Sequence, residues 1–260
     1  MQLSTFKKTS NLIDVKQYYK EFGYLVIEDF LLANQVVGLR QIVNNLLEQE
    51  KSENLEYVYA PGVERVWNLV NKHQAFQDLI THDFIFELMN FIFDRDTTHQ
   101  KFFLSSFQAT LVRPGAKTQA LHIDTPVPNP LPPWEIKANT IWLLDDFTSI
   151  NGATEIISGS HLYGRRPVDS DLNDHIGVQK VIAPAGSLLV TSGFLWHRAG
   201  SNQSNEDRLA LLGSFASSAF REISSEEDII RKSLLNKEFK ISNKCWQLAG
   251  GEHGIKKGIN

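Results

Sequence analysis

Val36, Leu39, Val43, Leu46 and Leu47 recur at helical spacing, so the chain predicts a helix there with Asn34 as its N-terminal cap. Just upstream, Gly23-Tyr-Leu-Val-Ile27 reads as a short strand. A second helix is expected near Asp83 to Phe93, with Phe84, Ile85, Leu88 and Ile92 as its buried stripe. The first part, about residues 12–100, is therefore expected to be mainly helical. From about residue 102 the pattern changes to short β-branched and aromatic runs. Phe102–Arg113, Ala120–Asp124, Ala138–Asp146, Ala153–Ser158, Val178–Ala183, Ser187–Thr191 and Arg208–Ala216 are the expected strands. Between them stand the turn compositions Arg113-Pro-Gly115, Asn151-Gly152, Ser158-Gly-Ser160 and Pro184-Ala-Gly186. Short strands so closely spaced suggest a sandwich or barrel such as a jelly roll, with its core at about residues 102–217. Ser224 and Glu227 form a capping box for a last helix through about Leu235, and a polar tail completes the 224–260 region.

Neither repeats nor a long linker interrupt the 260 residues, so a single mainly β domain with helical decoration is expected. An apolar content of 42% and a charged content of 22% suit a globular protein with a full core. A net charge of -4 offers no basic field for nucleic acid. No apolar run approaches the roughly 18 residues of a membrane span, and the first eight residues lack the apolar core of a secretory signal. Cys245 is the only cysteine, which rules out an internal disulfide and suits a reducing compartment. A cytoplasmic protein with neither nucleic-acid nor membrane partners is the expectation, and the oligomeric state is left open.

Chemistry concentrates at three positions. His122 and Asp124 are separated by one residue, so on a strand both side chains project from one face while Ile123 packs on the other. The third ligand, His197, can come from any strand facing them across the barrel, so its distance along the chain decides nothing. Two imidazoles and one carboxylate can occupy one face of a six-coordinate iron and leave the other face open, the pattern of non-haem Fe(II) oxygenases. His73, His82, His99, His175 and His253 lie in polar or helical stretches and read as ordinary surface or hydrogen-bonded residues.

The surroundings of these ligands resemble the phytanoyl-CoA dioxygenase family of Fe(II)/2-oxoglutarate oxygenases. The resemblance rests on Leu121-His-Ile-Asp124, on Leu144-Asp-Asp146 leading into Asn151-Gly-Ala-Thr-Glu-Ile-Ile-Ser-Gly-Ser-His161, on Pro184-Ala-Gly-Ser-Leu-Leu-Val190, and on His197-Arg-Ala-Gly-Ser-Asn202 closing with Arg208. Gly23-Tyr-Leu-Val-Ile27 matches the family's usual opening, and the set spans most of residues 20–216 in order. It implies a double-stranded β-helix (a cupin-like jelly roll) packed against the N-terminal helices, with iron held by His122, Asp124 and His197. It also implies 2-oxoglutarate and O2 as cosubstrates, the far carboxylate of 2-oxoglutarate meeting a cation inside the barrel. Arg208 fits that role, because a guanidinium clasps a carboxylate bidentately; the competing reading is a surface ion pair with Asp207 or Glu206. Thr154 is either a hydroxyl donor to the same carboxylate or a plain β-branched strand residue. Gln119 is a candidate to hydrogen-bond the cosubstrate near the metal, as in some fungal relatives. Several relatives carry serine two residues after the distal histidine; here Ala199 stands there, which shifts weight onto Thr154. Related halogenases replace the carboxylate by Gly or Ala, so Asp124 implies the hydroxylating type, with no separate protein acid or base.

Two segments are expected to cover the mouth. Thr125-Pro-Val-Pro-Asn-Pro-Leu-Pro-Pro-Trp134 holds five prolines in ten residues and reads as a stiff extended loop, with Trp134 placed to close over a substrate. The other, Tyr57 to Trp67, offers aromatic rings and Arg65 as a substrate contact. An acyl-CoA substrate calls for a cluster of Lys and Arg around its phosphates. The basic residues are scattered, and the Arg165-Arg166 pair reads as solvated surface. A small metabolite or natural-product intermediate, hydroxylated at an unactivated C–H with release of succinate and CO2, is the favoured substrate class. An acyl-CoA hydroxylase and a cupin-like metal protein that does not use 2-oxoglutarate are the alternatives.

Overall fold

A computed structural model describes residues 3–95, 101–173, 177–220 and 241–249. The expected last helix from Ser224, together with His99, His175 and His253, lies outside the described residues. The described strands are β1 (Phe6–Lys7), β2 (Tyr24–Glu28), β3 (Tyr57–Ala60), β4 (Val63–Val66), β5 (Phe102–Val112), β6 (Lys137–Leu143), β7 (Thr154–Ile157), β8 (Val178–Lys180), β9 (Leu188–Ser192), β10 (His197–Ala199) and β11 (Arg208–Ser217). The helices are α1 (Leu12–Phe22), α2 (Ala33–Ser52), α3 (Gln74–Ile80), α4 (Asp83–Ile92), α5 (Asp169–Asn173) and α6 (Asn243–Leu248).

Two sheets face one another, as a jelly roll requires. The larger has the order β1-β2-β9-β6-β11-β5-β4-β3, and the smaller runs β10-β7-β8. Every pairing is antiparallel except β1 with β2. The N-terminal part thus does more than supply helices: β1 to β4 complete both edges of the large sheet, where a mainly helical segment was expected.

Strand parity sorts the two faces of the large sheet. Leu25, Ile27, Trp142, Leu188, Val190, Leu209 and Leu211 face outward into a core shared with α1 to α4. Their neighbours Tyr24, Val26, Ile141, Leu143, Leu189 and Ala210 face the small sheet and pack on Phe147, Ala153, Ile156 and Val181. β5 keeps both registers because Leu104 pairs with Phe215 while Ser106 pairs with Ser214, leaving Ser105 as an extra residue that bends the strand. Trp142 is fully buried and meets Phe107 edge-on at 5.3 Å, a contact layer worth several kcal/mol by area alone.

Helix ends follow local chemistry. α1 starts at Asn11, whose side chain accepts the Ile13 N–H, and ends at Gly23 in the left-handed region (φ 77°). A Cβ on Gly23 would also lie 2.4 Å from His161 Nδ1. His73 and His82 cap α3 and α4 by accepting the Ala75 and Phe84 N–H groups, which explains them without a metal. Asn34 is not a cap: α2 begins at Ala33, and the Leu32 N–H is instead bonded by Gln35 Oε1 at 2.9 Å.

Candidate metal centre and active site

The stretch expected as a strand over Ala120–Asp124 forms no regular strand. It touches the small sheet at a single bridge, His122 with His197. There the two ligand-bearing segments exchange N–H···O=C bonds of 3.0 Å in both directions. Two residues on, the chain bends away: the Asp124 and Thr125 N–H groups both converge on the Gly193 carbonyl, at 3.1 and 3.2 Å, and Thr125 Oγ1 donates to it at 3.0 Å. Only glycine fits at 193, since an added Cβ would sit 2.6 Å from Thr125 Oγ1 and from the Lys137 carbonyl oxygen. Ile123 points away from the two ligands, buried with Leu121, Leu131 and Phe194.

These constraints bring the three side chains together. One ligand atom from each of His122, Asp124 and His197 lies within 4.8 Å of the others. Asp124 stands between the rings, with Oδ1 3.6 Å from His122 Nε2 and Oδ2 3.2 Å from His197 Nε2. Each imidazole is oriented from behind. His122 Nδ1 is 2.8 Å from the Ala120 carbonyl oxygen and His197 Nδ1 is 2.9 Å from that of Leu195. With Nδ1–H donated to a carbonyl, the Nε2 lone pair is free to face the shared centre, the tautomer a metal needs. Burial raises the Asp124 pKa, but His197 and His122 outweigh it and hold the carboxyl well below its ordinary range. Burial also works against a charged His197, yet Asp124 raises its pKa overall. His122 is lowered by burial and by repulsion from His197. Two nitrogens and one anionic oxygen, converging at the edge of the barrel, make a donor set suited to a divalent ion such as iron.

Sequence reasoning missed Asn139. It faces the barrel from β6, is buried, and donates Nδ2–H to Asp124 Oδ2 at 2.6 Å. It fixes one carboxylate oxygen and leaves Oδ1 directed toward His122. Its signal was a lone polar residue in the inward row Asn139, Ile141, Leu143, readable only with the strand's register known. Asn139→Leu is expected to weaken metal affinity about 10- to 100-fold with little change in fold, as measured by Mn(II) titration.

Arg208 opens β11. Leu209 and Leu211 face the helices, so parity turns Arg208 into the barrel, where it is 4% exposed. Neither expected surface partner pairs with it, and Asp207 is bonded to Arg113 instead at 2.6 Å. Among the described residues Arg208 has no carboxylate partner, and its Nε is buried without a hydrogen bond. Its guanidinium lies 4.4 Å from the Phe147 ring centre, and burial lowers its pKa to about 10. Thr154 is buried on β7, directly opposite Ala199. Gln119 braces that same Ala199: its Oε1 accepts the Ala199 N–H and its own N–H donates to the Ala199 carbonyl, both at 3.0 Å. Only Nε2 of Gln119 is left to meet a ligand.

The family model for phytanoyl-CoA dioxygenase (PhyH) matches residues 19–210. The chain belongs to the phytanoyl-CoA dioxygenase family. Among its relatives, "Dioxygenase FUM3" of Gibberella moniliformis is 30% identical over 76% of this chain and 69% of its own. "Fe(II)/2-oxoglutarate-dependent dioxygenase nvfF" of Aspergillus novofumigatus is 29% identical over 74% of this chain and 67% of its own. Among solved structures, the epimerase SnoN in complex with Fe3+, alpha ketoglutarate and nogalamycin RO superimposes with a TM-score of 0.61 at 18% identity. That match covers 79% of this chain and 83% of SnoN. The expectation of an iron- and 2-oxoglutarate-dependent dioxygenase on a jelly roll stands with the family membership.

The two substrate contacts expected of this phytanoyl-CoA dioxygenase relative separate in space. Arg65 faces inward from β4, with its guanidinium 3.4 Å from the Tyr59 ring centre. Burial lowers its pKa, while Tyr59, Tyr57 and the charge of Asp124 act in the opposite sense. Trp134 is 42% exposed and lines a cavity of about 740 Å³ between α1, α4 and the proline loop, a cavity none of the three ligands lines. Glu135 sits in its wall, one oxygen 3.4 Å from Tyr19 Oη and the other buried without a partner; burial pushes its pKa up to about 7. A carboxyl raised from 4.5 binds its proton more tightly folded than unfolded, so stability falls as pH rises through about 4.5 to 7. Glu135→Gln is expected to flatten that slope and to gain about 2 kcal/mol at pH 8, measured by urea unfolding at pH 5 and 8.

Of the Arg165-Arg166 pair, Arg165 is exposed at the surface as expected, whereas Arg166 is half-buried. Arg165 grips Asp171 through both guanidinium nitrogens, at 2.7 and 2.9 Å. Arg166 reaches inward to the carbonyls of Val127 and Thr125, at 2.9 and 2.5 Å.

Proposed function

We propose that this protein hydroxylates an unactivated C–H bond of a small metabolite or natural-product intermediate, consuming 2-oxoglutarate and O2 and releasing succinate and CO2. His122, Asp124 and His197 would hold the Fe(II), which when bound supplies the oxygen activation that no side chain can. The observation that carries the reading is Arg208, a buried cation in the same barrel as the converging ligands and without a carboxylate of its own. A dicarboxylate chelated at the metal through its keto acid end would answer that charge with its far carboxylate. Thr154, buried opposite Ala199, is placed as a further donor in the barrel. Gln119 Nε2 and the Arg65 guanidinium border the metal side, where the keto acid end or an anionic substrate group would lie. The inward apolar residues Leu143, Phe147 and Ala210 line the barrel, and Phe147 lies against the Arg208 guanidinium.

A small substrate is favoured over an acyl-CoA. Arg165 and Arg166, the one adjacent basic pair near the mouth, spend their guanidinium groups on Asp171 and on main-chain carbonyls. Among the described residues that leaves no ready cluster for phosphates. We place the reaction in the cytoplasm, the compartment that a lone buried Cys245 suits; among the described residues no helix is long and apolar enough to cross a membrane. Fe(II), ascorbate, 2-oxoglutarate and a natural-product panel are expected to yield succinate together with a product heavier by one oxygen. A product lighter by two hydrogens would assign desaturation or ring closure to the same site. Turnover that survives without 2-oxoglutarate would favour the cupin-like alternative.

A further inference from the structure

Both ligand-bearing segments are gripped from outside by one stretch of chain, residues 160–166, to which no catalytic role attaches. On one side it holds Trp196, the residue before His197. Trp196 N–H donates to Ser160 Oγ at 2.8 Å and its indole Nε1–H donates to the Arg165 carbonyl at 3.1 Å. The Arg165 guanidinium lies 4.7 Å from the Trp196 ring centre, and Tyr163 meets that ring edge-on at 5.1 Å. Trp196 is 2% exposed and Ser160 1%, so the bond between them is sheltered from water, while Tyr163 and Arg165 cover the indole from the solvent side.

On the other side the same stretch holds the residues after Asp124. Arg166 Nη2 donates to the Thr125 carbonyl and Nε to the Val127 carbonyl. The Arg166 N–H donates to Asn129 Oδ1 at 3.0 Å, and the Gly164 carbonyl accepts the Leu131 N–H at 2.9 Å. The chemistry demands such a partner. Thr125 and Val127 each precede a proline, and Pro126 and Pro128 have no N–H, so this loop cannot join a sheet ladder. A guanidinium presents parallel donors in a rigid fork, which suits two carbonyls spaced two residues apart.

We propose that residues 160–166 form a brace that sets the separation of the two ligand-bearing segments, with Arg166 and Trp196 as positioning residues of the metal centre. The proposal rests on reading His122, Asp124 and His197 as metal ligands. In that role the brace acts through the backbone: Arg166 fixes Thr125 and hence the turn at Asp124, and Arg165 and Ser160 fix Trp196 and hence the ring of His197. The His122–His197 bridge is one residue pair long. The Gly193 turn, the Asn139 contact and the two Gln119–Ala199 bonds tie the segments from within, and residues 160–166 add the contacts from outside.

The test is Mn(II) titration, by calorimetry or electron paramagnetic resonance, of the metal-free full chain and of Arg166→Ala, Arg166→Lys and Trp196→Phe, each checked for folding by circular dichroism. Arg166→Ala is expected to bind Mn(II) about tenfold more weakly with its secondary structure intact, and millimolar guanidinium is expected to restore much of that affinity. Arg166→Lys, a point charge in place of a fork, should fall between. Trp196→Phe removes the Nε1–H bond and trims the contacts to Arg165 and Tyr163 while keeping a ring, and should lose affinity several-fold. If Arg166→Ala does not fold, the lysine and phenylalanine variants carry the same comparison. Variants that fold and bind Mn(II) as the parent does overturn the brace but leave the metal reading intact. A parent chain that binds no Mn(II) overturns both.

Discussion

Arg208→Met is expected to abolish 2-oxoglutarate-dependent turnover while leaving the ligand-free protein at least as stable as the parent. The two halves of that result have one cause. In the ligand-free protein the guanidinium is almost wholly buried, with an unpartnered Nε and an aromatic ring as its company. A desolvated charge without a counterion costs several kcal/mol, and an apolar side chain of similar volume removes that cost. Methionine adapts well to such a gap, so the variant should hold or gain about 1–4 kcal/mol in denaturant unfolding. Binding moves the other way, because a buried charge pair that loses one partner forfeits about 2–5 kcal/mol, and affinity falls by roughly two to three orders of magnitude. At 100 times its Kd, 2-oxoglutarate should stabilise the parent by about 2.7 kcal/mol and the variant hardly at all. Arg208→Lys, which keeps the charge but not the fork, should fall between them. A methionine variant destabilised on its own yet still stabilised by 2-oxoglutarate would make Arg208 a structural residue and remove the main support for the cosubstrate site.

What could be read from the chain, and what could not, divides along a physical line. The convergence of His122, Asp124 and His197 was legible because His-x-Asp encodes a shared face in two residues of strand-like geometry, and the inward turn of Arg208 because the apolar parity of Leu209 and Leu211 dictates which way its neighbour points. The local backbone was less legible. Ala120–Asp124 looks like a strand by composition, yet one bridge at His122 and the double bond of Asp124 and Thr125 N–H to Gly193 replace a ladder. β3 and β4 were hidden because each is four residues long, too short to show alternation, and β4 takes its place in the sheet by pairing with β5. His197–Ala199 was invisible for the same reason: three residues carry no period. Arg166 reads as a solvated charge because its partners are proline-loop carbonyls about forty residues away in the chain, which no local pattern announces. Asn139 needed the register of β6. Residues that act through contacts distant in sequence were thus the ones missed.

The remaining large effect concerns protons and metal at the same three ligands. In the metal-free protein Asp124 and His197 stabilise one another at 3.2 Å, and each contribution has its own pH window. The Asp124 pKa is depressed from 3.8, so its contribution is present above that value and lost as pH falls through the lower folded pKa. The His197 pKa is raised from 6.5, so its contribution is present below 6.5 and lost as pH rises through the higher folded pKa. A divalent ion needs His197 neutral, so it must displace that proton, and apparent affinity should climb about tenfold per pH unit below the His197 pKa before levelling off. The thermal stabilisation given by a fixed Mn(II) concentration is therefore expected to grow with pH from the weakly acid range upward, while the metal-free protein loses stability over the same interval. Asp124→Ala should lose both behaviours at once: the imidazole no longer has the carboxylate that raised its pKa, and the ion no longer has its one anionic ligand, so Mn(II) affinity should drop by at least about a hundredfold at every pH. A Mn(II)-induced shift that is flat with pH in the parent, or that persists in Asp124→Ala, would place the ion elsewhere than between these two side chains.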